Sequence, residues 1–213
     1  QQDLQQLTNL VNENATKVGL RINCAKTKSM RIQYREDQTD QPLSINNRDI
    51  EDVQTFTYLG SVLAPDGGAE TDVKYRIGKA TTVFNRLWTI WASRSITTEL
   101  KIQLYNSIVL PTALYACETW KRTANIAHKI DVFHQRCLRR ILRISYRDHV
   151  TNEEVLKRAK SNPLSSTVTE RRLKFAGHTL RRPRLCHANV AMRWIPPDGK
   201  RKRGRPRKTW RRT

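Results

Sequence analysis

The sequence predicts an α+β protein, and three observations support that class. Apolar and polar residues alternate over short stretches between residues 20 and 63, which is the pattern of short strands. From about residue 70 onward, apolar side chains instead recur at the period of a helix. The end of the chain follows neither period and is rich in Pro, Gly and Arg. We therefore predict a small α/β piece with short antiparallel strands at residues 1–68, a helical region at 69–182 and an extended basic tail at 183–213.

The first 63 residues are predicted to form one helix and several short strands. Apolar residues recur at helical spacing from Leu4 to Val18, and Gly19 follows at the position of a left-handed cap. Residues 20–34 alternate on both sides of a turn, so they predict two strands. The stretch "LSINNRDIEDV" predicts two more strands around an Asn-Asn turn, and "FTYLGSVL" predicts a strand because β-forming residues dominate it.

The helical region is predicted to contain three main helices, over residues 73–91, 97–120 and 123–144. Thr97 is placed to cap the second helix, and Pro111 is expected to kink it because proline removes one backbone hydrogen bond. Capping-box sequences that begin at Thr151 and Thr167 predict two further helices. Beyond Arg182 the periodicity is lost, and we expect an extended chain.

Charge is distributed very unevenly along the chain. The net charge is +21 at pH 7, made up of −4 over residues 1–73 and +25 over residues 74–213. Residues 171–213 hold sixteen Lys or Arg and one acid, Asp198. Such asymmetry favours a polyanionic partner, of which nucleic acid is the commonest. No apolar run is long enough for a spanning helix and nothing suggests secretion, so we expect no membrane partner.

Two motifs of the first region resemble a known family. In this order, "GLRINCAKTKSM" (residues 19–30) and "FTYLGSVL" (residues 56–63) resemble the end of the palm in reverse transcriptases of non-LTR retrotransposons, the LINE-type elements. The order of the later segments is also similar to the thumb and basic C-terminal region of those enzymes. These segments are "RIGKA", "LYNSIVLPTALYACETW", "FHQRCLRRILRI", "GHTLRR" and "GKRKRGRPRKTW".

The resemblance implies polymerase chemistry in a parent protein. Such enzymes join a primer 3′-hydroxyl to the α-phosphate of a nucleotide, using Mg²⁺ ions that aspartates hold. The family has those aspartates in earlier palm motifs, and no Asp-Asp pair occurs in these 213 residues. We therefore expect this chain alone to hold no cofactor and to be inactive as a polymerase.

Lys26 is the one candidate catalytic residue. It matches the lysine of the family's fourth palm motif, and the resemblance implies that it acts on the departing pyrophosphate as a general acid or an electrostatic clamp. The alternative is a solvated lysine in a loop, and Lys28 is the neighbouring substitute. Asn23 and Thr27 are expected to shape the turn that carries Lys26.

The "YLG" sequence, Tyr58, Leu59 and Gly60, has a different implied role. The resemblance assigns this segment to a hairpin that grips the primer, because glycine lets a sugar-phosphate backbone approach closely. A β-bulge at a sheet edge is the structural alternative, and the two interpretations are compatible.

Two basic stripes on predicted helices are candidates for contact with nucleic acid. Arginines at helical spacing supply salt-sensitive affinity for phosphates that does not depend on base sequence. A solvated surface is the alternative, but the balancing acids of such a surface are scarce here. The candidate residues are Arg136, Arg139, Arg140 and Arg143, with Arg147 beside them, and Arg171, Lys174 and Arg181, with His178 among them.

The basic tail "KRKRGRPRKTW" resembles the core of an AT-hook. In that motif Gly and Pro keep the chain narrow, and arginines, here Arg203, Arg205 and Arg207, enter the negative minor groove of A·T-rich DNA. The cluster is also typical of a nuclear localisation signal, so we expect a nuclear protein. A disordered basic tail is the alternative interpretation.

Cysteine and histidine residues raise the question of a zinc site. His134 and Cys137 lie three residues apart, Cys117 precedes them, and Cys186 with His187 follows. Zinc sites are normally built from two close pairs, which this spacing does not reproduce. Cys137 also falls on the apolar stripe of its helix, where free cysteine behaves as a small hydrophobe. We therefore predict no metal site.

The sequence thus predicts part of an RNA-directed DNA polymerase of a non-LTR retrotransposon. Its role would be to grip the RNA-DNA primer-template and target DNA during RNA-templated DNA synthesis. The alternative from another class is a non-catalytic nuclear DNA-binding protein derived from such an element. A basic ribosome- or RNA-associated protein is a third class, but it would lack the Lys26 turn and the "YLG" segment. The sequence does not indicate an oligomeric state.

Overall fold

The computed structural model describes residues 2–31, 42–65, 68–121 and 123–193. They are mostly helical with a few short strands, which confirms the predicted α+β class. The chain divides into two compact units, residues 1–72 and 73–213, which we call the strand unit and the helical unit. Within the described part of the chain, no helix is long and apolar enough to cross a bilayer. The functional division into palm, thumb and tail stays a prediction.

The strand unit begins with a helix that ends where the sequence predicts. Helix α1 spans Gln2–Lys17, and Gly19 follows with φ +77°, while a backbone hydrogen bond of 2.9 Å from the Leu20 N–H closes the last turn. Glycine adopts this left-handed conformation without steric cost, so the helix and its cap are confirmed. Gln5 ties the helix to the next element, because its side chain donates to and accepts from the backbone of Ser44, at 2.8 and 3.0 Å.

Three very short two-stranded sheets complete the description of the strand unit. Strands β2 (Ser44–Ile45) and β3 (Arg48–Asp49) are antiparallel, as are β5 (Phe56–Tyr58) and β6 (Ser61–Leu63), whereas β1 (Lys28–Ser29) is parallel to β4 (Glu51–Asp52). Asn46 and Asn47 turn the first hairpin with φ of 51° and 60°. Asparagine tolerates positive φ at both positions of a two-residue turn, so the predicted Asn-Asn turn is confirmed.

The two strands predicted over residues 20–34 are wrong in extent. Within the described part of that range, only Lys28–Ser29 forms a strand, and residues 32–34 lie outside the described residues. The chain before it folds into a local turn, because the N–H groups of Lys26 and Thr27 both donate to the Asn23 carbonyl at 3.0 Å. The alternating pattern reflects this turn instead of a ladder between strands.

The helical unit opens with two helices where one long helix is predicted. Helix α2 covers Glu70–Arg86, and α3 covers Trp88–Ala92. The first three residues of α2 still belong to the strand unit. The chain turns between them because the Trp91 side chain folds back on the end of α2. Its indole N–H donates to the Phe84 carbonyl at 2.7 Å, and the two rings stack with centroids 5.0 Å apart. The predicted apolar stripe is therefore divided between two helices, α2 and α3.

The second predicted helix is divided by one π-helical turn. Helix α4 (Thr98–Leu104) has Thr97 as its N-cap, which accepts from the Leu100 N–H at 3.3 Å and confirms that prediction. A π-helical turn, Tyr105–Val109, joins it to α5 (Leu110–Ala113). Pro111 lacks the N–H that would continue the α-helical pattern, so the predicted disturbance takes the form of a π turn. A 3₁₀ turn, Cys117–Thr119, follows.

The remaining helices agree with the sequence at some ends and differ at others. Helix α6 covers Ala124–Leu142, with Thr123 as its N-cap, and buries the predicted apolar stripe from Ile126 to Ile141. Helix α7 (Asn152–Arg158) begins after Thr151 as predicted. Helix α8 (Leu164–Arg181) begins after Pro163, so Thr167 lies inside the helix and does not cap it. A helix that the sequence does not predict, α9 (His187–Arg193), follows Arg182. The rest of the predicted tail lies outside the described residues.

A polar network crosses the core of the helical unit. His134 is only 1% exposed; its Nδ1 lies 2.9 Å from the Tyr105 hydroxyl and its Nε2 lies 3.1 Å from the Ser161 hydroxyl. Burial lowers the pKa of His134 from 6.5 to about 4, although the Asp131 carboxylate acts in the opposite direction. The core therefore holds this imidazole in its neutral form at neutral pH.

The network predicts a loss of stability in acid. Between pH 6.5 and pH 4 the unfolded chain protonates His134 and the folded chain does not, so folding loses about 3 kcal/mol as the pH falls through that window. Above pH 6.5 both states are neutral and this effect is absent. We expect His134→Gln to be less stable than the parent protein at pH 7 but to lose about 2–3 kcal/mol less between pH 7 and pH 4.5. Urea unfolding of both proteins at the two pH values measures this, and equal losses would contradict it.

Candidate nucleic-acid interface

Lys26 lies at the surface of the strand unit in a turn that hydrogen bonds hold in place. The Asn23 side chain accepts from the Lys26 N–H at 3.2 Å, and the Thr27 hydroxyl donates to the Asn23 carbonyl at 2.9 Å. These bonds confirm that Asn23 and Thr27 shape the turn. The Lys26 side chain is exposed, so its position allows contact with an anion. Its catalytic role stays a prediction.

The cations that follow Lys26 have carboxylate partners. Lys28 forms an ion pair with Glu51 across the β1–β4 sheet, and Arg31 Nε lies 3.2 Å from the Asp52 carboxylate. Among the residues that the structure describes, Lys26 has no such partner. The difference favours Lys26 over Lys28 as the lysine available to a ligand.

The "YLG" segment forms the tip of the β5–β6 hairpin. Leu59 and Gly60 are the two turn residues, and both have positive φ, at 48° and 81°. The structure thus has a two-residue hairpin turn at this point instead of a β-bulge, and the single strand predicted over "FTYLGSVL" is two strands. Tyr58 and Leu59 are 59% and 76% exposed. A bulky residue in the left-handed region is strained, which makes this tip unusual.

The predicted arginines of α6 are divided between two kinds of environment. Arg136 is exposed at the rim of a groove. Arg139 instead donates to the Val150 carbonyl at 2.8 Å and to the Asn152 side chain at 2.9 Å. Arg143 donates to two carbonyls at the end of α3, at 2.6 and 3.0 Å. Arg139 and Arg143 therefore support the fold, and contact with a ligand would be a second role for them.

Arg143 and a buried lysine together close the C-terminal end of α3. Lys101, only 4% exposed, donates to the carbonyls of Trp91 and Ser93 at 3.0 and 2.6 Å. Arg143 donates to those of Ala92 and Ser93. Carbonyl groups at a helix end lack intrahelical partners, so two cations satisfy them and offset the negative end of the helix dipole.

Exposed aromatic rings lie beside the arginines at this end of the unit. The Arg140 guanidinium is 4.5 Å from the centroid of the Trp88 ring, and Arg147 is 5.9 Å from that of Tyr146. Trp88 is 49% and Tyr146 is 81% exposed. We call Trp88, Arg140, Arg143, Tyr146 and Arg147 the aromatic-basic surface. Rings beside cations suit nucleic acid, because bases stack on the rings and phosphates pair with the cations.

A second basic surface covers α8, α9 and the turn between them. Residues 171–193 contain seven Lys or Arg and no acid. We call its exposed members the α8–α9 surface: Arg171, Lys174, Arg181, Arg182, Arg184 and Arg193. Lys174 pairs with Glu170 at 2.6 Å, and Arg182 donates to the His178 ring at 3.3 Å. Arg172 differs from them, since it is 3% exposed and belongs to the core.

The structure gives the candidate zinc ligands other surroundings. His134 is engaged with Tyr105 and Ser161 through both ring nitrogens. Burial raises the pKa of Cys117 to about 11 and that of Cys137 to about 12, so both are thiols at neutral pH. The described residues contain no group of three or more His, Cys, Asp or Glu side chains that could hold a metal. Cys137 packs in the core, as the hydrophobe interpretation predicts.

The tail arginines Arg203, Arg205 and Arg207 lie outside the described residues, so their role stays a prediction.

Two features of the candidate interface are missed by the sequence analysis, the exposed ring of Trp88 and the different surroundings of the arginines. Trp88 does not belong to the predicted apolar stripe. A tryptophan that falls outside the apolar face of a helix is expected to be exposed, and this signal could have identified Trp88. No sequence signal separates Arg143, which braces α3, from Arg136, which faces solvent.

Comparison with known proteins gives one informative similarity. The chain is 28% identical over 208 residues to a putative uncharacterized transposon-derived protein of Caenorhabditis elegans. The aligned region covers 93% of this chain and 72% of that protein. No family model and no solved structure matches. The similarity supports a transposon origin for the chain. That origin agrees with the coarser part of the resemblance drawn from the sequence motifs.

The strained tip of the hairpin predicts a stabilising substitution. Leu59→Asn should strengthen the β5–β6 hairpin by about 0.5–1 kcal/mol, because asparagine tolerates positive φ better than leucine. Leu63→Asn is the matched control, since Leu63 is an exposed leucine of the same hairpin without positive φ. Amide hydrogen exchange of the hairpin measures the difference. Faster exchange in Leu59→Asn than in the parent protein would contradict the assignment of strain.

Two substitutions at Arg143 separate the effect of backbone strain on stability from the effect of the lost charge. This residue has φ +58°, so glycine fits the position and alanine does not. Arg143→Ala and Arg143→Gly lose the same charge and the same two hydrogen bonds, but the alanine variant should be less stable by about 1 kcal/mol. Both should change nucleic-acid affinity equally. Thermal unfolding and a binding titration check this, and equal stabilities would show that the strain is not there.

Proposed function

We propose that this chain is the C-terminal part of a non-LTR retrotransposon reverse transcriptase, with the end of the palm, the thumb and a basic extension. In this proposal the helical unit grips the primer-template and target DNA during RNA-templated DNA synthesis. The observation that carries it is the acid-free run of residues 171–193 on the surface of α8 and α9. The transposon origin and the order of the sequence motifs supply the polymerase context.

The basic surfaces would act through the nucleic-acid backbone. Each phosphate that an arginine or lysine neutralises releases counterions, so affinity rises as salt falls and does not depend on base sequence. Arg171, Lys174 and Arg181 provide such contacts on α8. Trp88 on the aromatic-basic surface adds a ring on which a base can stack.

The strand unit would contribute at the reacting end of the primer. Lys26 would place a positive charge where the pyrophosphate departs, and the rigid Asn23–Thr27 turn would keep it there. The Tyr58–Gly60 tip would approach the primer backbone. The aspartates and Mg²⁺ of the parent enzyme would supply the polymerisation chemistry.

The alternative is a nuclear DNA-binding protein of transposon origin that does not polymerise. The observation that favours it is the basic tail, since residues 171–213 hold sixteen basic residues and one acid. In this case Arg203, Arg205 and Arg207 would enter the minor groove of A·T-rich DNA. Both functions place the protein in the nucleus.

Binding across a salt series tests the proposal. The ligands are an RNA-DNA primer-template, A·T-rich duplex DNA and G·C-rich duplex DNA. The triple variant Arg171→Gln, Lys174→Gln, Arg181→Gln should lower primer-template affinity about tenfold or more and reduce the salt slope by about one unit per lost phosphate contact. The matched control is Lys17→Gln, Arg21→Gln, Arg48→Gln, which removes three exposed charges from the strand unit.

The two functions give different outcomes in this experiment. Tightest binding to the primer-template that survives deletion of residues 199–213 supports the polymerase assignment. Preference for A·T-rich duplex that disappears with the deletion supports the DNA-binding alternative. Equal losses in the triple variant and its control would remove the α8–α9 surface from the proposal.

A further inference from the structure

A groove of about 530 Å³ opens between α6 and α7 in the helical unit. Its lining shares no residue with the aromatic-basic surface or the α8–α9 surface. A volume of this size is in the range of small-ligand sites, which run from roughly 300 to 1,000 Å³. The residues that carry the argument are Asp131, Val132, Arg136 and Arg139 on α6, Leu156 on α7 and Pro163 before α8.

The groove has an apolar wall and a positive rim. Val132, Leu156 and Pro163 form the apolar part, and Val132 is 42% exposed although it lies on a helix with a well-buried stripe. Arg136 lies at the rim with its side chain in solvent. Arg139 lines the same groove and is held in place by its bonds to Val150 and Asn152.

The groove contains one acid, Asp131, against the two arginines Arg136 and Arg139. Both carboxylate oxygens of Asp131 accept hydrogen bonds from Ser165, at 2.9 Å from its N–H and 2.7 Å from its hydroxyl. Asp131 therefore serves to fix the start of α8 against α6. Because two arginines outnumber this one carboxylate, the groove combines an apolar surface with a net positive charge. It therefore suits a ligand that is flat and apolar at one end and anionic at the other.

We propose that this groove binds one unpaired nucleotide of a single strand, with its base against Val132, Leu156 and Pro163 and its phosphate at Arg136. The proposal deepens the function proposed above and rests on it. A paired base in a duplex stays stacked on its neighbours and cannot enter the groove, whereas an unpaired base exposes its faces to apolar and aromatic side chains. The groove is thus specific for single-stranded nucleic acid.

The groove is continuous with the aromatic-basic surface through one face of α6. Arg136 and Arg140 are four residues apart and so lie on neighbouring turns of the same face. Arg140 in turn lies over Trp88. A strand whose base occupies the groove can therefore pass Arg136 and Arg140 and place a following base on the exposed Trp88 ring.

A charge placed on the groove wall tests the proposal. Val132→Glu puts a carboxylate where the base and its phosphate would lie, and the matched control is Leu100→Glu, an exposed leucine on α4 with the same change in charge. The probes are a labelled single-stranded oligothymidylate and a duplex of the same length. We expect Val132→Glu to bind the single strand about tenfold more weakly than Leu100→Glu does, and both variants to bind the duplex equally.

A second variant keeps the test independent of folding at Val132. Arg136→Gln should weaken single-strand binding and lower its salt slope by about one unit, without affecting thermal unfolding. Equal single-strand affinities for Val132→Glu and Leu100→Glu, with an unchanged slope in Arg136→Gln, would overturn the groove assignment while leaving the proposed function intact. Failure of the unsubstituted protein to bind either probe would overturn both.

Discussion

Four aromatic rings in contact hold the helical unit together. Phe84 stacks on Trp91, meets Tyr105 edge to face at 6.2 Å between centroids, and Tyr105 stacks on His134 at 5.7 Å. These residues belong to α2, α3, the π turn and α6, so the chain of rings fixes four elements at once. Trp91 and Tyr105 are fully buried, and aromatic side chains contribute large apolar areas to a core. Through His134 this packing holds α6, the helix that carries Arg136, Arg139 and Arg140.

Several of the many cations of the helical unit have backbone carbonyls as hydrogen-bond acceptors. Lys101 and Arg143 bind carbonyls at the end of α3, and Arg139 binds the Val150 carbonyl. Lys101 and Arg143 thus satisfy the end of α3, while Arg136, Arg181 and Arg184 face solvent. The structure therefore separates the cations that bind backbone carbonyls from those that face solvent.

The solvent-facing cations are arranged along helices, and that arrangement underlies the proposed functions. The α8–α9 surface offers repeated contacts to phosphates, which suits a duplex held by its backbone. The groove and the aromatic-basic surface instead offer places for bases, which suits an unpaired strand. The proposed function would require both kinds of contact, since a duplex product and a single-stranded template meet during RNA-templated DNA synthesis.

The sequence alone determined what depends on nearby residues. Gly19, Thr97, Thr123 and Thr151 end or begin helices as expected, because a cap is a contact between residues a few positions apart. The Asn-Asn turn and the α+β class are also predicted correctly, because both follow from patterns within short segments of the chain. Charge asymmetry is also readable directly from the sequence, and with it the expectation of a polyanionic partner.

Only the tertiary structure decided the break at Leu87, the start of α8, the helix α9 and the separation of structural from solvent-facing arginines. The start of α8 and the separation of the arginines depend on partners distant in the chain, since Asp131 and Ser165 are 34 residues apart and Arg143 and Ala92 are 51 apart. The break at Leu87 depends on the fold of the Trp91 side chain onto Phe84, which the helical period does not record. The groove is likewise formed only when α6 and α7 pack together. A sequence pattern records the spacing of residues along the chain, whereas these contacts depend on which surfaces meet once the rings of the core are in place.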